Sequence, residues 1–225
     1  MQRCWGLRVG VARRVVLADW ERYDVRRLIL VRLLGSKMKT KTKQFIQNLW
    51  HEIEDEDKAE SYLDESLPLV GLVVMYFNAV EKSLDSLLCE IISDRTDAPG
   101  LIVIQKLMYA AKLDLFKRFA EDFHLCEPAK PPKFEELISE LGEVARLRNI
   151  VVHADWSSMD EDGYTYVRLK SCKSGLLQEY AQLSVASLEA LIDRMIAVNH
   201  SLSDYWEWRS ECLATYGQRK NDQST

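Results

Sequence analysis

At 225 residues and 47% hydrophobic content, the chain is long enough for one domain with appendages, or two small ones, around a packed core. A formal net charge of -5 excludes a global positive field, so any polyanion site must be local. Cys4, Cys89, Cys126, Cys172 and Cys212 are scattered and contain no CxxC, which suggests neither a disulfide framework nor a zinc site and makes a reduced, cytoplasmic setting the expectation.

No membrane partner is expected. The longest apolar stretch, Leu67 to Val80, is broken by Pro68 and Asn78 and falls short of the roughly 20 residues a bilayer requires. Arg3, Arg8, Arg13 and Arg14 leave no room for a secretory apolar core.

Residues 1–37 form a basic N-terminal extension. Met1 to Gly35 carries arginine but no lysine, whereas lysine is plentiful from Lys37 onward. Translated upstream sequence with Met38 as the true start is one reading. A basic amphipathic helix, Val15 to Leu34, serving as an arm is the other.

Residues 38–217 read as a single helical domain and 218–225 as a polar tail. Phe45, Leu49 and Trp50 suggest a short helix, Thr42 to Glu54. Pro68 is expected to open the first core helix, Leu69 to Ser93, whose apolar positions Val70, Val73, Val74, Phe77, Val80, Leu84, Leu87, Leu88 and Ile91 recur at three and four residues. Asp97 to Gly100 reads as a turn. A second helix, Leu101 to Phe123, is expected to bury Leu107, Ala110, Leu113, Leu115, Phe116 and Phe119. A proline-rich loop, Cys126 to Lys133, precedes a third helix from Phe134 to about Val152.

The period then changes. Tyr164, Tyr166, Arg168 and Lys170 alternate with Thr165, Val167 and Leu169, and Lys173-Ser174-Gly175 turns the chain into a return strand over Leu177 to Ala181. Ser184 starts the last helix. The expected fold is all-α: an antiparallel up-down bundle of four to five helices, with a small β-hairpin inserted after the third core helix.

Leu147-Arg148-Asn149-Ile150-Val151-Val152-His153 carries the chemistry. Asn149 and His153 are four apart and share a helix face, with Arg146 on the same stripe. Arg148 lies roughly 140° around the axis from His153, within reach of its long side chain. Arginine stabilises charge on phosphoryl oxygens. Imidazole, with an ordinary pKa near ~6.5, exchanges a proton with a ribose 2′-hydroxyl or a leaving oxygen. On spacing alone a structural role is the favoured reading, because so short a pattern recurs by chance: Arg148 could pair with Glu143 or Glu140, and His153 could simply end the helix.

Arg148-Asn149-x-x-x-His153 on the third helix of such a bundle resembles the signature of the HEPN superfamily, and the segment Asn78 to Leu84 resembles that family's first core helix. The likeness spans about Tyr62 to Ser210. It implies an all-α bundle that dimerises so that two motifs face one another. It also implies metal-independent endoribonuclease activity on RNA, often in toxin–antitoxin or antiviral systems with an antitoxin or defence partner protein. Under it Arg148 and His153 are the catalytic pair and Asn149 the polar helper. Arg146 is a supporting candidate, and no cofactor or metal is called for. Asp155 stands where family members modified by a nucleotidyltransferase partner carry tyrosine, so such modification is not implied. The alternative is a non-catalytic helical bundle that binds protein or RNA as a regulator.

Glu81 could reach Arg148 or His153 from the first helix, or simply face solvent beside a lysine. His51, His124 and His200 lack ligand spacing. Asp160 to Gly163 reads as a solvated turn rather than a calcium loop. Trp206 and Trp208 read as core or interface, with base stacking the less favoured role.

Overall fold

The computed structural model describes residues 38–45, 53–93, 98–127, 131, 133–173 and 175–222. The chain divides into two units, Met1–Gly35 and Ser36–Thr225. The expected arm, Val15 to Leu34, lies outside the described residues, as does most of the expected Thr42–Glu54 helix.

The elements run β1 (Thr40–Gln44), α1 (Glu56–Ser93), α2 (Ala98–Ile104), α3 (Tyr109–Cys126), α4 (Phe134–His153), a 3-10 turn (Trp156–Ser158), β2 (Tyr164–Cys172), β3 (Gly175–Gln182) and α5 (Val185–Asp222). The architecture is mostly helical with one small antiparallel sheet, ordered β1-β3-β2. An all-α description therefore needs correcting: the hairpin was anticipated, but a third strand joins it.

That strand is Thr40–Gln44, where a helix was expected from Thr42. Threonine alternates with lysine, β-branched residues suit a strand, and β3 offers an edge to pair with. Phe45 N–H donates to Leu176 O at 3.0 Å and Gln182 N–H to Lys39 O at 2.9 Å, closing both ends of the pairing. Lys41 Nζ reaches Asp160 Oδ2 at 2.6 Å and lies 4.1 Å from the Tyr164 ring centre.

Helix α1 begins at Glu56, twelve residues before Pro68, which sits inside it instead of opening it. Asp55 caps the start, its Oδ1 accepting from Lys58 N–H at 3.0 Å. Proline costs a helix interior about 3 kcal/mol. Burial of Ala59 before Pro68 and of Val73, Phe77 and Val80 after it offsets that cost. By length and composition α1 is also apolar enough to cross a bilayer, at mean hydropathy 1.3 over 18 residues. Its buried positions pack against α2, α3, α4 and α5.

Of the expected turn at Asp97–Gly100, the described residues Ala98 to Gly100 instead start α2, and the expected helix Leu101–Phe123 is two helices. Gly100 packs so tightly on α1 that a Cβ there would lie 2.7 Å from Cys89 Cα. A straight continuous helix would swing its buried line by roughly 120° between Gly100 and Lys112. Breaking at 105–108 lets each piece face α1. Of the residues expected to be buried here, Phe116 is, whereas Ala110 and Phe119 are exposed.

Helix α5 starts at the expected serine: Ser184 Oγ accepts from Ser187 N–H at 3.3 Å. It then runs past Gly217 to Asp222, so much of the expected polar tail is helical. Arg194 on α5 grips Glu140 on α4 with two hydrogen bonds, 2.5 and 2.8 Å.

Candidate functional site: the C-terminal end of α4

Helix α4 buries Phe134, Leu137, Leu141, Val144, Leu147 and Val151. Glu135 and Glu136 in its first turn complement the helix dipole. Because the buried line consumes one face, Arg146, Asn149 and His153 emerge on an exposed stripe, as their spacing predicts. Arg148 lies on the flank, half-buried against α1.

Arg148 is held from two sides. Its Nη1 donates to the Asn149 side-chain oxygen at 3.1 Å, and its guanidinium carbon lies 5.2 Å from the centre of the Phe77 ring on α1. Its Nε is buried without a hydrogen-bond partner among the described residues. His153 is exposed, and among the described residues neither Arg148 nor Asn149 bonds to it. The structure thus joins Arg148 to Asn149 and brings His153 to the same helix end, but it does not bond Arg148 to His153 within one chain. Trp156 closes that end, its indole N–H donating to Val151 O at 2.9 Å.

The supporting candidates go elsewhere. The Glu81 carboxylate accepts from Lys112 Nζ at 2.8 Å and so is neither directed at Arg148 or His153 nor a simple solvent-facing charge. Asp85, one turn along α1, shares the same ammonium at 2.9 Å. Lys112 is only 6% exposed. Burial alone would lower its pKa, but the two carboxylates hold it above the ordinary value. Burial pushes the Asp85 carboxyl up, against the pull of Lys112.

Arg146 binds Glu143 through Nε at 2.7 Å and Nη2 at 2.8 Å, which raises its pKa and lowers that of Glu143. Glu140 and Glu143, the partners open to Arg148 on spacing, are therefore engaged by Arg194 and Arg146.

Phe77, Tyr109 and Lys112 are the neighbours that sequence reasoning did not connect to the motif. Phe77 packs on Tyr109 with ring centres 4.9 Å apart, and the Tyr109 hydroxyl donates to Leu141 O on α4 at 3.1 Å. Burial, and then the Glu81 charge, push the Tyr109 phenol upward. An aromatic inside an apolar heptad-like run carries no sign that a guanidinium will lie on it. A lone lysine on α3 carries none that two carboxylates await it.

Elsewhere, His124 sits among Phe123, Phe134, Tyr205 and Trp208, with its ring centre 4.7 Å from that of Phe134. Burial lowers its pKa. Trp208 belongs to this packed cluster, and His200 is exposed. His51 lies outside the described residues. The Asp160–Gly163 turn is less solvated than expected, since Asp160 is buried and its Oδ1 accepts from Tyr164 N–H at 2.7 Å. No group of three or more His, Cys, Asp or Glu among the described residues is placed to hold a metal ion.

No protein-family model, curated protein or solved structure matches this chain.

Chemically, the end of α4 offers a guanidinium and an amide already linked, with an imidazole one turn further along. Such a set can bind a phosphodiester and move a proton beside it.

Proposed function

We propose that this protein is a HEPN-type, metal-independent endoribonuclease, working in the cytoplasm as a homodimer and serving as a toxin or antiviral-defence effector. In this reading α1, α3, α4 and α5 form the family's antiparallel up-down bundle, and the sheet is an elaboration upon it. One observation carries the reading: Arg148 and Asn149 are hydrogen-bonded to each other while His153 stands exposed at the same helix end. A histidine with no structural partner among the described residues is available for chemistry.

The mechanism follows from the residue types. His153 takes the proton of the ribose 2′-hydroxyl or supplies one to the leaving 5′-oxygen. Arg148 stabilises the charge that accumulates on the phosphoryl oxygens, and Asn149 orients the guanidinium. The 2′-oxygen attacks the adjacent phosphorus, the P–O5′ bond breaks, and a cyclic phosphate and a free 5′-hydroxyl result. Two copies of the motif facing across a symmetric seam provide the local positive site that a net charge of -5 denies the whole chain. Arg146, bound to Glu143, flanks the site.

Expression in a bacterial host tests this reading. The wild type should slow growth and Arg148→Ala should relieve it; equal growth of the two would count against a nuclease.

A second reading, a non-catalytic regulator, is favoured by a different observation. Leu101, Ile102, Val103 and Met108 are all exposed around α2, Met108 to 79%, an apolar patch suited to a protein partner. A benign wild type would favour it.

A further inference from the structure

We infer that Phe77 is a positioning residue: its ring, braced by Tyr109, is a shelf that holds the Arg148 guanidinium in place for the substrate phosphate. This rests on the nuclease reading for its chemistry, but the shelf itself is a matter of geometry.

Free arginine side chains sample many rotamers, and ordering one costs up to about 2 kcal/mol. A guanidinium that must meet a transition state gains from having that cost met before the substrate arrives. Three features do so here. The Phe77 ring lies 5.2 Å from Arg148 Cζ, at cation–π distance, and so draws the head group to one place beside α1. Asn149 holds Nη1 at 3.1 Å, a second restraint on the head group. The head group's bond is to the neutral Asn149 amide, and among the described residues no carboxylate pairs with it, so none competes with a phosphate for the charge.

The shelf is supported from beneath. Phe77, Glu81 and Asp85 follow one another at four-residue spacing along α1 and face α3. Tyr109 on α3 meets Phe77 at 4.9 Å, and Lys112, one turn later, takes Glu81 and Asp85 at 2.8 and 2.9 Å. The buried cation therefore sets the register of α1 against α3, and that register puts the Tyr109 ring behind Phe77. Tyr109 also ties to α4 through Leu141 O at 3.1 Å, two turns before Arg148. The three helices are locked together around one aromatic pair.

The test uses the full-length protein and two readouts. Proton–nitrogen NMR of the Arg148 Nε–H should show a ring-current shift and slowed solvent exchange in the wild type. Both should persist in Phe77→Tyr and vanish in Phe77→Leu. Cleavage of a single-stranded RNA should fall about tenfold in kcat with little change in KM for Phe77→Leu, and Phe77→Tyr should keep near wild-type turnover. Circular dichroism confirms that each variant folds. An unshifted Arg148 signal in the wild type, or wild-type turnover by Phe77→Leu, overturns the positioning role and leaves the nuclease reading intact. A shifted signal with no cleavage by any of the proteins instead removes the nuclease reading, and the catalytic purpose of the shelf falls with it.

Discussion

Replacing Lys112 with methionine keeps the length and apolar stem of the side chain but removes the charge that Glu81 and Asp85 share. Lys112 is nearly buried, while the Glu81 and Asp85 side chains are 30% and 27% exposed. Breaking a fully buried ion pair by deleting one partner costs about 3–5 kcal/mol, because the remaining charge is left without compensation. Both carboxylates here keep some contact with water, so about 2–3 kcal/mol is expected near neutral pH. In a domain of this size that is a fall of about 4–12 °C in Tm. Urea denaturation followed by circular dichroism measures it directly. Two controls sharpen the result. The penalty should shrink in acid as the orphaned carboxylates protonate, and Glu81→Gln with Asp85→Asn should restore much of the loss in the Lys112→Met background. Stability within about 0.5 kcal/mol of wild type, or no rescue by the neutral pair, would refute the claim that this buried cation locks α1 to α3.

Gly163 adopts φ +77°, and a Cβ there would lie 2.5 Å from Tyr62 Cε1, so Gly163→Ala should destabilise by about 1–3 kcal/mol in a denaturant titration. Burial lowers the His124 pKa, with the Glu121 and Glu135 charges opposing. The folded protein therefore resists a proton that the unfolded chain accepts, and stability should fall as pH drops below about 6.5, levelling once the folded-state imidazole protonates. His124→Phe should flatten that slope in midpoints measured from pH 5 to 8. His153→Ala removes an exposed side chain with no partner among the described residues, so its stability should stay within about 0.5 kcal/mol of wild type.

Much of the helical core was legible because its signal is periodic. Val73, Phe77, Val80, Leu84, Leu87 and Leu88 repeat at three and four residues and are all buried on α1. The hairpin and the serine that starts α5 were visible for similar local reasons. What failed was decided by tertiary contact. Thr40–Gln44 has no apolar alternation of its own and becomes a strand because β3 presents an unpaired edge. Pro68 reads as a boundary but lies inside a helix whose buried residues on both sides outweigh the local penalty. The break between α2 and α3 follows from how closely Gly100 approaches Cys89, a contact no short window of sequence contains.

The candidate site divides in the same way. Exposure of Asn149 and His153 on one stripe follows from a spacing of four, and the motif's location at a helix end follows from the change of period after Trp156. The surroundings of Arg148 were illegible. Glu81 was weighed as its partner, yet the charge goes to Lys112, and the residue that meets the guanidinium is an aromatic read only as core. Long-range charge pairing between helices has no periodic trace.

The most direct measurement is cleavage of a defined single-stranded RNA by the purified full-length protein in the presence of EDTA, with the product ends identified. Wild type should cut and leave a 2′,3′-cyclic phosphate and a 5′-hydroxyl, while His153→Ala, equally folded, should leave the RNA intact. Cutting by His153→Ala, a strict need for divalent metal, or intact RNA after incubation with wild type would contradict the account.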